Sequence, residues 1–512
     1  MKIRNLLLLA GIMFVIFSCS KDSLDKDAVP ASPADPMTKA EINELVEETL
    51  EATNTVFYWS DTEPRVLWSA SVRSDSIMSL GYQLPGMTDV ESRIHELDLQ
   101  SEDWTAVRNR LVDFVVSETN RLYPGLNATA DDLFGNLDNQ YLPTLDVKIF
   151  NQQIIEALRE MPEVRYIEPM GYTMYDLNDR SDSGCGYSPN FNIPSADYTT
   201  VAPNAKIPWN FSHPSMNVPG AWSTSTGNNI KVALIDTGTS PNQSKLGSQF
   251  NSGYSSGRSL ERIGTHVSGW WWWASNDGPD DQCGHGTQMA GLIAAPRSNG
   301  GSTLGAAYNC DLKAFRATTD VVINGSSEKE GVRDALYISG ADHQVKIISM
   351  SIGDVFYSST VADGVFYAYN NGKMLLAAAG TSLSWTSWYG VIFPATMSQT
   401  VAVTGIRDGS SMQRCHTCHD GSAVDFVAVM QRASNTDRTS LTLAMSGDTP
   451  AYVGGSSAAT ATTAGIAALV WATNPNQSRS QVLQRMKNAA SIYPNRDSNF
   501  GWGTINAAQA VQ

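Results

Sequence analysis

From about residue 207 to the end of the chain, short apolar runs rich in β-formers alternate with helical segments. This pattern predicts an α/β fold with a mostly parallel sheet and helices on both faces. The strand candidates are Lys231 to Ile235, Asp311 to Arg316, Val345 to Ser351, Met374 to Ala379, Val401 to Thr404 and Val424 to Val429. Their apolar residues run continuously rather than alternating, as in strands buried on both faces. Helical segments follow His285, cover Val361 to Asn370, and run from Ser457 to Thr473 and from Ser478 to Ala490. A length of 512 residues also favours more than one folded unit.

A separate, smaller α+β unit is expected over residues 38–174. Lys39 to Ala52 and Asp103 to Tyr123 carry apolar residues at helical spacing. Leu145 to Phe150 alternates like a strand, Gln152 to Arg159 reads as a helix, and Val164 to Ile167 as a further strand. Residues 175–206 are rich in Ser, Asp, Asn, Gly and Pro and suit an exposed, cleavable linker. The second unit then spans 207–512.

The net charge of −16 disfavours nucleic acid and anionic membrane faces as partners, and no basic run reverses it. With 42% hydrophobic and 17% charged residues, the chain can fill a core. At the N-terminus, Lys2 and Arg4 precede the apolar stretch Leu6 to Phe17. That length suits a signal-peptide core and is short for a membrane span. Ile16-Phe17-Ser18-Cys19 resembles a bacterial lipobox. The resemblance implies a signal peptide over 1–19, lipidation at Cys19, a polar tether over 20–37, and a lipid-anchored location at the cell envelope.

Lipidation of Cys19 leaves five cysteines: Cys185, Cys283, Cys310, Cys415 and Cys418. An exported protein can form disulfides, but one thiol stays over. Cys185, in the linker, is the expected odd one. The other four allow three pairings.

Three segments carry chemistry. Val232-Ala233-Leu234-Ile235-Asp236-Thr237-Gly238 places an acid where a buried strand ends. Gly284-His285-Gly286-Thr287 places an imidazole between glycines at a helix start. Gly455-Ser456-Ser457-Ala458-Ala459 places a hydroxyl among small residues. A serine nucleophile needs a base to take its proton and a carboxylate to orient that base. Asp236, His285 and a serine supply all three parts.

In this order and context the segments resemble the subtilisin-like serine peptidases, through about residues 207 to 510. Ile207-Pro208-Trp209, Gly305-Ala306-Ala307, and Phe500-Gly501-Trp502-Gly503 with Asn506-Ala507 add to the likeness. The stretch around 144–172 resembles the end of the family's propeptides. The resemblance implies a propeptide that inhibits its own catalytic unit, a processing region in 175–206, and protein or peptide substrates. Counting back from Ala464-Gly465 in the family pattern assigns the nucleophile to Ser457 and leaves Ser456 at a threonine position. Ser351, Ile352 and Gly353 correspond to one substrate-binding edge, and Ala378 and Gly380 to another. Thr381 stands where the family carries an asparagine that binds the oxyanion. A threonine donor is shorter and β-branched. A catalytically weak or inactive binding protein on the same scaffold is therefore the competing reading.

The triad chemistry requires no cofactor. Calcium occurs in the family, but no ligand set carries over, because the matching loop Arg297 to Thr303 is poor in carboxylates. Asp354, which follows Gly353, reads as a solvated loop aspartate in preference to a residue that selects a basic substrate side chain. Cys415-His416-Thr417-Cys418-His419 matches a haem-attachment pattern. Its place in a loop between strands favours a disulfide or free thiols. Trp270 to Trp273 form a run of four indoles, read as core filling in preference to an exposed surface for a partner, glycan or lipid.

Overall fold

The computed structural model describes residues 35–135, 137, 141–174, 185–186, 188–269, 275–382 and 390–512. Cys19 and the tryptophan run 270–273 lie outside the described residues.

The N-terminal unit is an antiparallel sheet covered by helices. Its strands are β1 (Ile77–Tyr82), β2 (Phe134–Gly135), β3 (Thr144–Lys148) and β4 (Val164–Pro169), in the order β2-β3-β1-β4. The helix Glu102–Leu122 buries Trp104, Val107, Leu111, Val112 and Val115, one stripe at helical spacing. The helix Lys39–Thr53 buries Ile42, Val46 and Leu50 and starts on a Thr38–Glu41 capping box. Val147, Ile154, Ile155 and Leu158 close the same core.

A hairpin of β5 (Tyr198–Val201) and β6 (Ala205–Pro208) leads into the second unit. There, β7 (Lys231–Asp236) and β8 (Leu260–Gly264) are followed by the short pair β9 (Val267–Ser268) and β10 (Ser275–Asn276). Next come β11 (Asp311–Arg316), β12 (Val345–Met350), β13 (Met374–Ala378) and β14 (Thr400–Arg407). The last strands are β15 (Phe426–Arg432), β16 (Asn435–Leu443) and β17 (Pro450–Val453). Nine strands form one sheet in the order β17-β16-β15-β14-β13-β12-β7-β11-β8. From β8 to β15 every pairing is parallel, and β16 and β17 are antiparallel. All six residues of β7 are buried, as the continuous apolar run predicts. The strand order reverses direction beside β7, and the open crevice of such a sheet lies at the carboxyl ends of its strands. Asp236 is the last residue of β7.

Two helices of the second unit, Ser326–Ala341 and Ser359–Asn370, pack together; the second lies against β1, and the first reaches β3 through Arg333 and Asp146. The contact is polar and aromatic. Arg165 of β4 pairs with Asp363, and Tyr166 Oη donates to Asp363 at 2.9 Å. Phe356 reaches into the aromatic core of the N-terminal unit, stacked on Trp59 at 5.1 Å and edge-on to Phe57 and Tyr172. Phe57 extends the contact by backbone pairing, donating to Val355 O at 2.8 Å and accepting from Tyr357 N at 2.9 Å. No helix among the described residues is long and apolar enough to cross a membrane.

The cysteines differ from the sequence expectation. Cys185 is disulfide-bonded to Cys283, and Cys415 to Cys418. The unpaired cysteine among the described residues is Cys310, fully buried, and burial pushes its thiol up to about 12. A position in a linker says nothing about where the folded chain returns.

Candidate active site

Asp236 and His285 meet at the carboxyl end of β7. His285 is the first residue of the helix His285–Ala294, and its Nδ1 lies 2.8 Å from Asp236 Oδ1. The same carboxylate oxygen accepts the Thr237 amide at 2.8 Å. Asp236 is wholly buried and His285 nearly so. Burial by itself lowers the imidazole, but the Asp236 carboxylate outweighs it and holds His285 above the ordinary histidine value.

Asp281 fixes the turn that presents His285. Its Oδ1 accepts the Thr237 hydroxyl at 2.9 Å and the amides of Cys283 and Gly284 at 2.9 and 2.8 Å. Its Oδ2 accepts the amide and hydroxyl of Thr287 at 2.9 and 2.5 Å. Thr237 Oγ1 also accepts the Gly286 amide at 2.8 Å. One carboxylate thus ties the end of β7 to the start of the histidine helix. Sequence reasoning missed Asp281. Its signal was a carboxylate six residues before a threonine at a helix start, which is weak without the fold.

Ser456 and Ser457 open the helix Gly455–Ala472 and face different ways. Ser456 is 1% exposed. Its hydroxyl accepts the Gly380 amide at 3.2 Å and lies 3.0 Å from Thr381 Oγ1. Ser457 is half-buried and lines the open cleft. Its hydroxyl donates to Ser351 O at 3.2 Å in this resting geometry, while Ser351 Oγ donates to Ser457 O at 3.0 Å. Resting catalytic hydrogen bonds are commonly loose, and a change of χ1 turns such a hydroxyl toward a neighbouring base.

The cleft has a volume of about 730 Å³. His285 and Ser457 share it, with Ser351, Ile352 and Gly353 on one edge and Ala378, Gly380 and Thr381 on another. Thr381 Oγ1 accepts the Ser456 amide at 3.1 Å. The loop after β14 braces that edge: Ser382 donates to Thr417 O at 2.7 Å and His419 to Gly380 O at 2.9 Å. This is where the Cys415–Cys418 disulfide sits, so the pair serves a loop closure. His419 is buried against Gly390 O, and burial pushes its imidazole down to about 4. Asp354 is not a solvated loop residue. It is 6% exposed, and its Oδ1 accepts the Val355 amide at 2.7 Å. Its place between β12 and the Phe356 contact buries it. Among the described residues no group of three or more His, Cys, Asp or Glu stands close enough to hold a metal ion.

The fold and this cleft define a subtilisin-like hydrolase. Residues 227–503, more than half of the chain, match the model of the subtilase family, and the chain belongs to that family. It is a serine-type endopeptidase by class. It is 28% identical to thermitase of Thermoactinomyces vulgaris over 58% of this chain and 94% of that one. It is 26% identical to a thermophilic serine proteinase of Bacillus sp. strain AK1, over 70% and 76% of the two chains. It is 28% identical to alkaline elastase YaB of Bacillus sp. strain YaB, over 74% and 82%.

Proposed function

We propose that this chain is the precursor of an exported, lipid-anchored endopeptidase in which Asp236, His285 and Ser457 form the catalytic triad. The observation that carries the reading is the 2.8 Å bond from His285 to the buried Asp236, in a cleft that also exposes Ser457. Asp236 holds the imidazole with Nδ1 as the donor, which leaves Nε2 to take the Ser457 proton. Ser457 Oγ then attacks the peptide carbonyl, and a tetrahedral oxyanion forms. His285 returns the proton to the leaving amine, and the acyl group stays on Ser457 until water removes it. A raised imidazole pKa suits the imidazolium that exists between these transfers.

The oxyanion is served by the Ser457 amide, which lies in the first turn of its helix, and by the Thr381 hydroxyl. A relay supports Thr381 in that role. The Gly380 amide donates to Ser456 Oγ and the Ser456 amide to Thr381 Oγ1; with the Ser456 hydroxyl, 3.0 Å away, turned to donate to Thr381 Oγ1 as well, the threonine proton is left for the oxyanion. The substrate's acyl half lies extended along Ser351–Gly353 and Ala378–Gly380, as an added strand.

Residues 38–174 act as the inhibitory propeptide. Supporting this, the end of that unit reaches the cleft rim, where Asn324 Nδ2 donates to Thr173 Oγ1 at 3.1 Å beside the cleft-lining Val321 and Val322. Export and anchoring rest on the sequence alone, through the apolar N-terminal stretch and Cys19.

The test is expression of the full chain as wild type and as Ser457→Ala, with the mature N-terminus sequenced. Wild type is expected to be cut between Tyr172 and Ile207, and Ser457→Ala to stay whole. A wild type that also stays whole contradicts the reading. Metabolic labelling with a fatty-acid probe, lost in Cys19→Ala, tests the anchor.

A further inference from the structure

The two substrate edges, Ser351–Gly353 and Ala378–Gly380, lie where β12 and β13 end. The mechanism above uses their backbones, but not what fills the gap between them. Residues 390–393 return to that gap. The Ile392 amide donates to Ala379 O at 3.0 Å, which ties the segment to one edge. Phe393 ties it to the other. Its amide donates to Asp354 O at 3.0 Å, and its carbonyl accepts the Asp354 amide at 3.0 Å. Gly390 O accepts from His419 Nδ1 at 2.8 Å. Val391 and Phe393 are buried, but Ile392 between them is half-buried and lines the cleft with Ile352, Gly353 and Ala378.

The Ile392 side chain spans the gap. A Cβ added to Gly353 would stand 2.6 Å from Ile392 Cδ1 and 3.0 Å from its Cγ1. The side chain thus leaves a backbone bonded to one edge and ends against the other. A β-branched side chain has few rotamers to retreat into, and hydrogen bonds on both sides hold its backbone. Ser457 stands at the mouth of the same gap, since its hydroxyl donates to Ser351 O at 3.2 Å. The residue whose carbonyl it attacks is therefore the substrate residue nearest to Ile392. A methyl group fits over such an aliphatic floor. A phenyl ring needs the volume that Ile392 fills, and a packed site admits an oversized group only by shifting backbone and rotamers.

We propose that Ile392 is a specificity-determining residue: it plugs the gap between the two edges and restricts the substrate residue before the scissile bond to small side chains such as alanine. Residues after the scissile bond are not restricted by it, so long chains are cut internally. The inference rests on the peptidase reading above.

The test uses full-length enzyme allowed to mature, as wild type, Ile392→Gly and Ile392→Val. Each is assayed on peptide p-nitroanilides that differ only in the residue before the scissile amide, alanine or phenylalanine. Wild type is expected to prefer alanine by about tenfold or more in kcat/KM, and Ile392→Gly to reverse the preference. Ile392→Val, one methylene shorter, is expected to fall between them and decides the matter if Ile392→Gly fails to fold. General damage to the site lowers both rates and leaves their ratio unchanged, so the ratio is the readout. A wild type that cuts the phenylalanine substrate as well as the alanine one, or a ratio equal in wild type and variants, overturns the inference. A wild type that cuts neither substrate overturns the peptidase reading, and this inference with it.

Discussion

Arg333 Nη1 lies 2.9 Å from Asp146 Oδ2 and 3.2 Å from Oδ1, with both side chains almost fully buried between the two units. The arginine is on the helix Ser326–Ala341 and the aspartate on β3. Removing Asp146 strips Arg333 of its buried partner and leaves it the more exposed Asp334 at 3.1 Å, at a cost of up to about 3–5 kcal/mol. Asp146→Ala in the uncut Ser457→Ala protein is expected to lose that much stability in urea unfolding. Asp146→Leu with Arg333→Met should recover most of it. A loss below about 1 kcal/mol in the single variant would contradict the pair's role.

Docking of the N-terminal unit should weaken as pH rises. Glu168 of β4 is buried against Ser359, whose amide and hydroxyl donate to it. Burial pushes Glu168 up to about 7, Asp363 adds to the rise, and Lys329 and the Ser359 donors oppose it. A carboxyl raised in the docked state binds its proton more tightly there than when free. Its contribution is thus complete below about pH 4.5, the ordinary glutamate value, and is lost as pH rises through about 7. The Ser457→Ala protein is expected to unfold at lower urea at pH 8 than at pH 5.5, and Glu168→Gln to flatten that dependence. An unchanged slope in Glu168→Gln would reject this assignment.

Thr381 is expected to matter through its hydroxyl. Thr381→Val keeps the shape and removes the donor, so kcat should fall by about 10²-fold or more with KM little changed. Ser456→Ala, which breaks the relay without touching the oxyanion, should cause a smaller fall in kcat. If Thr381→Val is as fast as wild type, the oxyanion is held by other donors.

The Cys415–Cys418 loop positions the same edge. Replacing both cysteines by serine frees the loop that accepts from Ser382 and donates to Gly380. Small misplacements of this kind cost up to about 10²-fold in rate. The double variant should lose kcat by at least about tenfold, measured on a small chromogenic amide. Retention of full kcat would make the disulfide a matter of stability only.

Much of this site was legible in the sequence because its parts are local. A buried strand that ends in Asp236-Thr237-Gly238 and a glycine-flanked His285 at a helix start both signal their position through neighbours. Helix register gave the two serines different roles in the sequence, and in the structure Ser456 is buried while Ser457 is half-buried at the cleft. The helix Ser326–Ala341 was not legible. It is buried on one side by the sheet and on the other by the N-terminal unit, so Lys329 and Arg333 stand where a surface stripe would normally read as polar. Gly331 and Gly340 are there for close contact with Ala317 O and Tyr367, which also weakens the helical pattern. β1 was missed because its six residues are all buried and include Ser79 and Gly81. The return of Cys185 to Cys283 and the role of Asp281 depend on tertiary approach, which spacing along the chain does not encode.

The most direct measurement is a fluorophosphonate adduct on the purified mature protein, mapped by peptide mass spectrometry. One adduct per chain is expected, on Ser457, absent in Ser457→Ala and slowed on the order of 10⁴-fold in Asp236→Asn. An adduct on Ser456, or none on a folded mature protein, would contradict it.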